Sequence, residues 1–295
     1  MKHTIRLSDR SRFIVTALLI PIGWFIIFRL YPLCYTLYLS FHTYYLLSGQ
    51  MIFQGLLNYV SILHDTLFIT SLKNTIYIVL GLSIAMWIAL GLALALKNIK
   101  KAFIRNIFRT IFFIPTVVMS VAAAQIWTWM YQPSYGVINY LLSSIGFKPF
   151  LWLTSPQQVI PALIIVILWK NLGFTIILFE AGLSSIPGIF YEASEIDGAT
   201  KWQQFKYITW PLLTPTLLFV FVTGFISALQ TFTQPYVMTM GGPGTSSYTL
   251  VFYVYQRAFA YKDLGYASAL SYIIFLIIFI ASYLQLRYVK ERVWA

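Results

Sequence analysis

The chain has 295 residues, of which 59% are hydrophobic and only 9% are charged. A soluble domain carries about a quarter charged residues, so this composition excludes a water-soluble enzyme, a secreted binding module and a disordered protein. The net charge is +12, and the positions of the basic residues indicate membrane topology, not nucleic acid binding, as its cause.

Six apolar stretches follow one another along the chain, and each approaches or exceeds the roughly 20 residues that a helix needs to cross a bilayer. They cover residues 13–39, 76–96, 110–130, 159–179, 212–234 and 265–286. Their continuous apolar character differs from the alternating pattern of an outer-membrane barrel. The sequence therefore predicts an all-α membrane protein with six transmembrane helices, in a single domain over residues 13–290.

Most of the Lys and Arg residues lie in segments that six spans would place on one side of the membrane. These segments are residues 1–12, 97–109, 201–206 and 287–292. Only Lys148, Arg257 and Lys262 fall in the loops of the opposite side. Because basic loops remain in the cytoplasm, we expect both ends of the chain, residues 1–12 and 291–295, to be cytoplasmic.

No stretch of the sequence carries a familiar catalytic or cofactor motif. There is no phosphate-binding loop of the GxxxxGK[ST] type, no HExxH and no GxSxG. The lone cysteine, Cys34, allows no disulfide within the chain and no thiolate cluster. We therefore expect a protein that is not an enzyme, that holds no metal, and whose energy source, if it is a pump, is hydrolysed by another chain.

The polar segment 185–211, between the fourth and fifth spans, is predicted to form two short helices separated by a turn. Gly198 has the position of a helix-terminating glycine. Thr200 followed by Gln203 is a capping-box pattern for a second helix. Pro211 is expected to interrupt the helical pattern before the next span.

The order of residues in this segment resembles the signature EAA-x3-G-x9-I-x-LP of permease subunits of binding-protein-dependent ATP-binding-cassette (ABC) importers. The matching positions are Glu192, Ala193, Ser194, Gly198, Ile208 and Pro211. The spacings agree throughout, whereas Ser194 replaces the third alanine and Trp210 replaces the leucine before proline. Further likeness, as in residues 132–139 and 236–243, points to the carbohydrate-uptake branch, with its subunits for glycerol phosphate, lactose and multiple sugars.

This resemblance implies a type I ABC importer permease fold with a cytoplasmic coupling helix, in a bacterial inner membrane. It also implies a second homologous permease subunit as a heterodimer partner, two ATPase subunits that bind ATP and Mg²⁺, and an extracytoplasmic solute-binding protein. The chain itself is expected to hold no cofactor and to pass a sugar or related polyol phosphate by alternating access. The residues implied in ATPase coupling are Glu192, Ala193, Ser194, Asp197, Gly198, Ala199, Ile208 and Pro211.

Polar side chains within the spans are candidates for the substrate path, because such groups are costly in a bilayer. The candidates are Lys170, Asn171, Gln230, Thr233, Gln234, Ser271 and Tyr272. Lys170, near the middle of the fourth span, admits two interpretations. It is either a donor to substrate hydroxyls or a phosphate, or a structural lysine satisfied by neighbouring carbonyl or carboxylate groups.

Two other functions remain open on the sequence. A self-sufficient secondary transporter or channel for a small polar solute would work without an ATPase. A membrane-embedded enzyme would need a catalytic cluster, and none is recognisable in the sequence. Copurification separates these alternatives from an importer permease, which should bring down an ATPase and a second permease.

Overall fold

Helices dominate the computed structural model, which describes residues 9–45 and 49–293. The predicted cytoplasmic ends, 1–12 and 291–295, lie partly outside these described residues. The helices are α1 (Asp9–Phe25), α2 (Tyr31–Ser40), α3 (Leu57–Leu63), α4 (Thr66–Lys97), α5 (Ala102–Val117), α6 (Ser120–Met130), α7 (Val137–Ser144), α8 (Val159–Ser184), α9 (Ile189–Ile196), α10 (Lys201–Gln204), α11 (Trp210–Leu229), α12 (Leu250–Tyr255) and α13 (Leu264–Val293). Within the described part of the chain the strands are β1 (His42–Tyr44) and β2 (Met51–Phe53). The predicted all-α class is confirmed.

Shorter helical turns join several of these elements. The π-helical turns are Ile26–Leu30, Phe205–Thr209, Pro235–Thr239 and Gln256–Ala260, and Trp152–Thr154 forms a 3-10 turn. In the described part of the chain, five continuous helical stretches are long and apolar enough to cross a membrane, and a bent pair can supply a sixth span. The five stretches are Thr16–Ser40, Thr66–Lys97, Val159–Ser184, Lys201–Leu229 and Leu264–Arg287.

The third predicted span, 110–130, is not one straight helix. The structure divides this region into α5 and α6, whose axes differ by 99°. Val118 and Met119 have extended backbone angles and separate the two helices. Pro115, in the last turn of α5, has no N–H to donate and favours such an ending. Apolar composition predicted a span here but carried no information about the bend.

The first compact unit combines residues up to 64 with residues 254–273. The strands β1 and β2 pair antiparallel, with His42 opposite Phe53. The buried amide of Asn58 donates to the backbone oxygens of Ser40 and His42, at 2.9 and 3.0 Å. These bonds hold α3 against the end of α2.

The second compact unit, residues 65–253 with 274–295, contains the main helical core. Asp65 is the N-cap of α4, and its carboxylate accepts the backbone N–H of Leu67 at 2.8 Å. Buried residues of α4, α8 and α11 form one hydrophobic cluster, which includes Ala89, Phe179 and Leu213, each fully buried. The packing of these three helices positions the polar segment that connects α8 to α11.

Small residues allow short distances between helix backbones where the helices of this unit cross. A side chain at Gly173 of α8 would overlap the backbone of α5 at Phe112 and Phe113. A side chain at Gly182 would likewise meet Thr216 of α11. Small residues at crossings let helix backbones approach closely in membrane proteins, and here they bring α5 and α11 against α8.

Candidate functional site

Residues 185–211, which we call the elbow, connect α8 to α11 through the short helices α9 and α10. Helix α9 ends at Ile196, Asp197 is its C-cap, and Gly198 follows with φ +76°. The turn is closed by hydrogen bonds from Gly198 N–H to Glu195 O and from Ala199 N–H to Ser194 O, at 3.1 and 2.9 Å. A left-handed glycine after the last helical turn is a common helix end, so the predicted turn is present.

Thr200 is the N-cap of α10 and forms the predicted capping box with Gln203. Its hydroxyl oxygen accepts the backbone N–H of Gln203 at 3.3 Å, and the Gln203 side-chain oxygen accepts the Thr200 N–H at 2.7 Å. The two bonds satisfy two of the N–H groups that a helix start leaves free. The local sequence therefore fixes the direction in which the chain leaves the turn.

Gln204 of α10 is buried between the two helices of the elbow and bonds to residues of α9. It is 4% exposed, and its amide nitrogen donates to Ser194 Oγ at 3.0 Å and, at 3.4 Å each, to Tyr191 O and Glu195 Oε1. Ser194 is the position at which the sequence departs from the alanine of the signature. Its hydroxyl oxygen gives Gln204 an acceptor that an alanine would not provide.

An ion pair on the exposed side of the elbow also joins α9 to α10. Lys201 Nζ lies 2.7 Å from Glu195 Oε1. Hydrogen bonds from Lys201 and then Gln204, with the charge of Lys201, lower the pKa of Glu195 from its ordinary value. The carboxylate therefore stays ionised at neutral pH, although its exposure to solvent keeps the contribution of this pair to stability small.

Tyr191 ties the elbow to the helix core. Its hydroxyl lies 2.9 Å from Thr209 Oγ1, and Lys97 Nζ donates to it at 3.3 Å. Lys97 Nζ also lies 4.4 Å from the centre of the Tyr191 ring. Ile208, in the π-helical turn, packs against the cluster of α4, α8 and α11. The elbow is thus fixed to the ends of the long helices and is not a loose loop.

Pro211 does not interrupt the helix as the sequence predicted. The helical stretch runs without a break from Lys201 to Leu229. The turn Phe205–Thr209 is π-helical, and Trp210 N–H donates to Phe205 O five residues earlier. A widened turn of this kind leaves space for the proline ring, so the helix continues although Pro211 has no N–H to donate.

Large apolar side chains of the elbow lie exposed around the turn, a feature that the sequence analysis did not identify. Ile196 is 87% exposed, Trp202 69% and Ile189 67%. Glu192 and Asp197 are exposed beside them. Exposed apolar side chains with charged neighbours are typical of a contact with a protein or with the membrane surface. The helical period places these residues outward, and that signal was available in the sequence.

The structure gives Lys170 a structural partner. Its Nζ lies 3.4 Å from Thr116 O, and Thr116 Oγ1 donates to Lys170 O at 3.0 Å. Thr116 is in the last turn of α5, where carbonyl groups lack helical donors and a positive charge is favourable. This contact corresponds to the second of the two interpretations of Lys170.

Asn171 lines an open cavity of about 260 Å³ between α4, α8 and α11. The cavity wall is mainly apolar and also carries Thr175, Thr223 and Ser227. The sequence analysis did not select these three hydroxyl residues, because a threonine or serine in an apolar span is common and carries no periodic signal. Together with Asn171 they supply neutral hydrogen-bonding groups on a mainly apolar wall.

The other predicted path residues do not line this cavity. Gln230 follows the end of α11 and is exposed, whereas Gln234 is buried beyond it. Thr233 lies between them in the same connecting stretch. In the first unit, Ser271 Oγ donates to Ala267 O at 2.8 Å, and Tyr272 OH donates to Leu33 O at 2.6 Å. Their role in a path stays a prediction.

An ion pair in the helix core was also missed in the sequence analysis. Arg109 Nε of α5 donates to both carboxylate oxygens of Glu180 in α8, at 2.7 and 3.0 Å. The Glu180 side chain is 8% exposed and that of Arg109 is 37% exposed. The two residues are far apart in sequence, so only the crossing of α5 and α8 reveals the pair.

Comparison with known proteins places this architecture in a defined group. Residues 81–294 match the family described as "Binding-protein-dependent transport system inner membrane component". The chain is 35% identical to the sulfoquinovosyl glycerol transport system permease protein of Agrobacterium fabrum, over 89% of this chain and 85% of that protein. It is 36% identical to the lactose transport system permease protein of Rhizobium radiobacter, over 90% of each chain.

A solved structure has the same fold. It is a chain of the bacterial alginate ABC transporter in complex with an alginate pentasaccharide-bound periplasmic protein, with a TM-score of 0.86 and 24% sequence identity. The alignment covers 97% of this chain and 96% of that one. This likeness confirms the ABC importer permease fold that the resemblance of the elbow implied.

Proposed function

Because the chain belongs to the family of binding-protein-dependent transport system inner membrane components, we propose that it is the permease subunit of an ATP-driven importer for a sugar or related polyol phosphate. The main observation in support of the proposal is the structure of the elbow. This polar segment between two membrane spans is fixed by hydrogen bonds and exposes large apolar side chains. The curated relatives named for lactose and sulfoquinovosyl glycerol transport support the carbohydrate class.

In this proposal the subunit works in an assembly. It pairs with a second, homologous permease in the inner membrane, and each permease docks on one of two ATPase subunits that bind ATP and Mg²⁺. A solute-binding protein delivers the substrate on the opposite side. The basic inner segments of the sequence support an elbow that faces the cytoplasm, where ATP is available.

The elbow is suited to transmit movement from an ATPase to the spans. Ile196 and Trp202 offer apolar area to a cleft, and the small residues Gly198 and Ala199 allow the backbones to approach. The bond of Lys97 to Tyr191 and the packing of Tyr191 and Ile208 against the cluster of α4, α8 and α11 support movement of the elbow with these helices as one body. Rigid-body rocking of such helices around a membrane site is one established form of alternating access.

The cavity beside Asn171 is the part of the subunit that we assign to the substrate path. Asn171, Thr175, Thr223 and Ser227 carry neutral donors and acceptors suited to sugar hydroxyl groups. A path of this kind needs groups that bind weakly and exchange readily, which neutral groups do better than charges. We expect Asn171→Leu to reduce uptake more than ATP hydrolysis.

Gly198 provides the test of the elbow. Its positive φ strains any β-branched residue, by about 1–2 kcal/mol, although nothing lies near a side chain at this position. We expect Gly198→Val to insert normally, to copurify with the ATPase and to lose the coupling of ATP hydrolysis to uptake. Gly188→Ala is the matched control, since Gly188 has φ −60° and room for a methyl group.

Copurification tests the assembly itself. Affinity purification of the tagged chain should recover an ATPase and a second permease, and ATP should drive uptake by the reconstituted set. Normal coupled uptake by Gly198→Val would contradict the role of the elbow. Transport by the isolated chain in vesicles, driven by an ion gradient, would instead establish the secondary transporter or channel.

A further inference from the structure

A second, smaller cavity of about 130 Å³ lies at the inner ends of the helices. It is formed by the end of α4, the first turns of α5 and the end of α8. Its charged lining consists of Lys97, Arg105, Arg109 and Glu180, and Ser184 adds a hydroxyl. Three positive charges therefore surround a space that contains one negative charge.

The ion pair between Arg109 and Glu180 accounts for one of these three positive charges. Lys97 contacts Tyr191, which is neutral. Arg105 Nε is buried and finds no hydrogen-bond partner among the described residues. A buried donor on a charged group is costly when it is unpaired. The described lining of the cavity therefore carries an excess of positive charge, and among the described residues the buried Nε of Arg105 has no acceptor.

The geometry points to a binding site for a phosphate group in this cavity, which neither the family nor the proposed function assigns. We propose that Arg105 and Lys97 bind the phosphate of an anionic ligand, either a lipid headgroup or a free phosphate compound. Arginine presents a planar set of donors that matches phosphate oxygens, and lysine adds a point charge. Ser184 Oγ lies on the same wall as a further donor.

The surroundings of the cavity favour the lipid as the source of the phosphate. Next to Arg105 in α5, Phe103 is 77% exposed and Ile104 39%. Such side chains fit the acyl region below a headgroup, and basic residues at the cytoplasmic ends of spans attract anionic lipid. The inner ends of α4 and α5 thus present apolar and basic surfaces side by side.

A ligand in this cavity would also act on the elbow, because Lys97 contacts both. Lys97 lines the cavity and donates to Tyr191, the residue that ties α9 to the helix core. A phosphate held by Lys97 and Arg105 would fix the end of α4 relative to the elbow. Bound anionic lipid is therefore expected to stabilise the elbow against the core.

The binding experiment uses the full-length protein, purified in a neutral detergent with any subunits that copurify. Thermal unfolding is followed while phosphatidylglycerol, phosphatidylcholine or inorganic phosphate is added. We expect phosphatidylglycerol, but not phosphatidylcholine, to raise the unfolding temperature. For Arg105→Gln we expect the concentration that gives half of this shift to rise by about tenfold, the effect of losing one charged hydrogen bond.

Lys101→Gln is the matched control, because Lys101 lies exposed at the start of α5 and is absent from the cavity wall. We expect Lys101→Gln and the unaltered protein to reach half of the shift in unfolding temperature at the same phosphatidylglycerol concentration. This result would support a specific site. If Arg105→Gln does not yield folded protein, Lys97→Gln replaces it in the same comparison.

The outcomes separate the two sources of phosphate. A shift with phosphatidylglycerol alone identifies the lipid, and a comparable shift with inorganic phosphate identifies a free phosphate compound. The proposal is overturned if neither ligand shifts unfolding, or if Arg105→Gln and Lys101→Gln respond equally. None of these outcomes depends on transport, so the result is independent of the proposed importer function.

Discussion

The contribution of an acidic residue to the stability of this protein depends on how deeply its side chain is buried. Glu180 accepts two hydrogen bonds from Arg109 inside the helix core, and its side chain is 8% exposed. Glu195 makes a bond of similar length to Lys201, but its side chain is 57% exposed. Breaking a buried pair leaves a charge without compensation, whereas water compensates at the surface. Bond length alone would have ranked the two pairs as equal.

The buried pair gives the first prediction at this scale. Glu180→Gln removes the one carboxylate that the described residues place on the wall of the smaller cavity, which also carries Lys97, Arg105 and Arg109. We expect a loss of about 2 kcal/mol in stability, less than the full cost of breaking a buried pair because Arg109 is partly exposed. In a thermal unfolding experiment this corresponds to a decrease of roughly 5 °C.

Glu192→Gln is the control for this substitution, since Glu192 lies on the exposed face of the elbow. Its unfolding temperature should match that of the unaltered protein. A Glu180→Gln protein that unfolds at the same temperature as this control would show that the ion pair does not stabilise the core.

The elbow gives a prediction about pH at the same scale. Its neighbours lower the pKa of Glu195 from 4.5, so the folded protein favours the ionised form. The stabilisation is therefore present above pH 4.5 and is lost as the pH falls through the lower pKa of the folded state. At pH 7 we expect Glu195→Gln to unfold at a slightly lower temperature than the unaltered protein. Well below pH 4.5 we expect the two proteins to unfold at the same temperature. A difference that persists or grows on acidification would contradict this assignment.

At the scale of elements, the crossing of α5 and α8 depends on one glycine. A methyl group at Gly173 would overlap the backbone at Phe112, and backbone cannot move aside as a flexible side chain can. We expect Gly173→Ala to separate the two helices, to weaken the Arg109–Glu180 pair, and to destabilise the protein by about 2 kcal/mol, within the range for overpacking. Thermal unfolding measures this effect.

Gly91→Ala of α4 is the control for this crossing. It has the same chemistry in a helix interior, and nothing lies near a methyl group at Gly91. Alanine has the higher helix propensity, so this variant should be as stable as the unaltered protein or more so. Equal effects of the two substitutions would indicate that close approach at Gly173 does not limit the packing.

At the scale of the whole molecule, the charge distribution makes a prediction about orientation. The basic segment 97–109 should be cytoplasmic, and the loop near 235–264 should lie outside. Cys34 is the only cysteine, so Cys34→Ser gives a background for single labels. In intact spheroplasts, an impermeant maleimide should label Thr245→Cys and should spare Lys100→Cys until the membrane is permeabilised. The reverse pattern would invert the topology and remove the elbow from the cytoplasm.

The sequence by itself determined the features that depend on residues close to one another along the chain. Apolar runs predicted six spans, of which five are continuous helices in the described residues, and the spacing of Glu192, Gly198 and Ile208 identified the family. The turn at Gly198 and the capping box at Thr200 were also predictable, because each depends on residues within one helical turn.

Only the tertiary structure decided the features that depend on distant residues. The bend between α5 and α6 and the pair of Arg109 with Glu180 were not predicted. A carbonyl partner for Lys170 was one of two interpretations, and the structure identifies it as Thr116 O. The continuous helix through Pro211 contradicted a local rule, because a π-helical turn accommodates the ring. Apolar composition states that a helix is buried in lipid or protein, but it does not state which helix it crosses. The partners of polar groups, and with them both cavities, follow from those crossings.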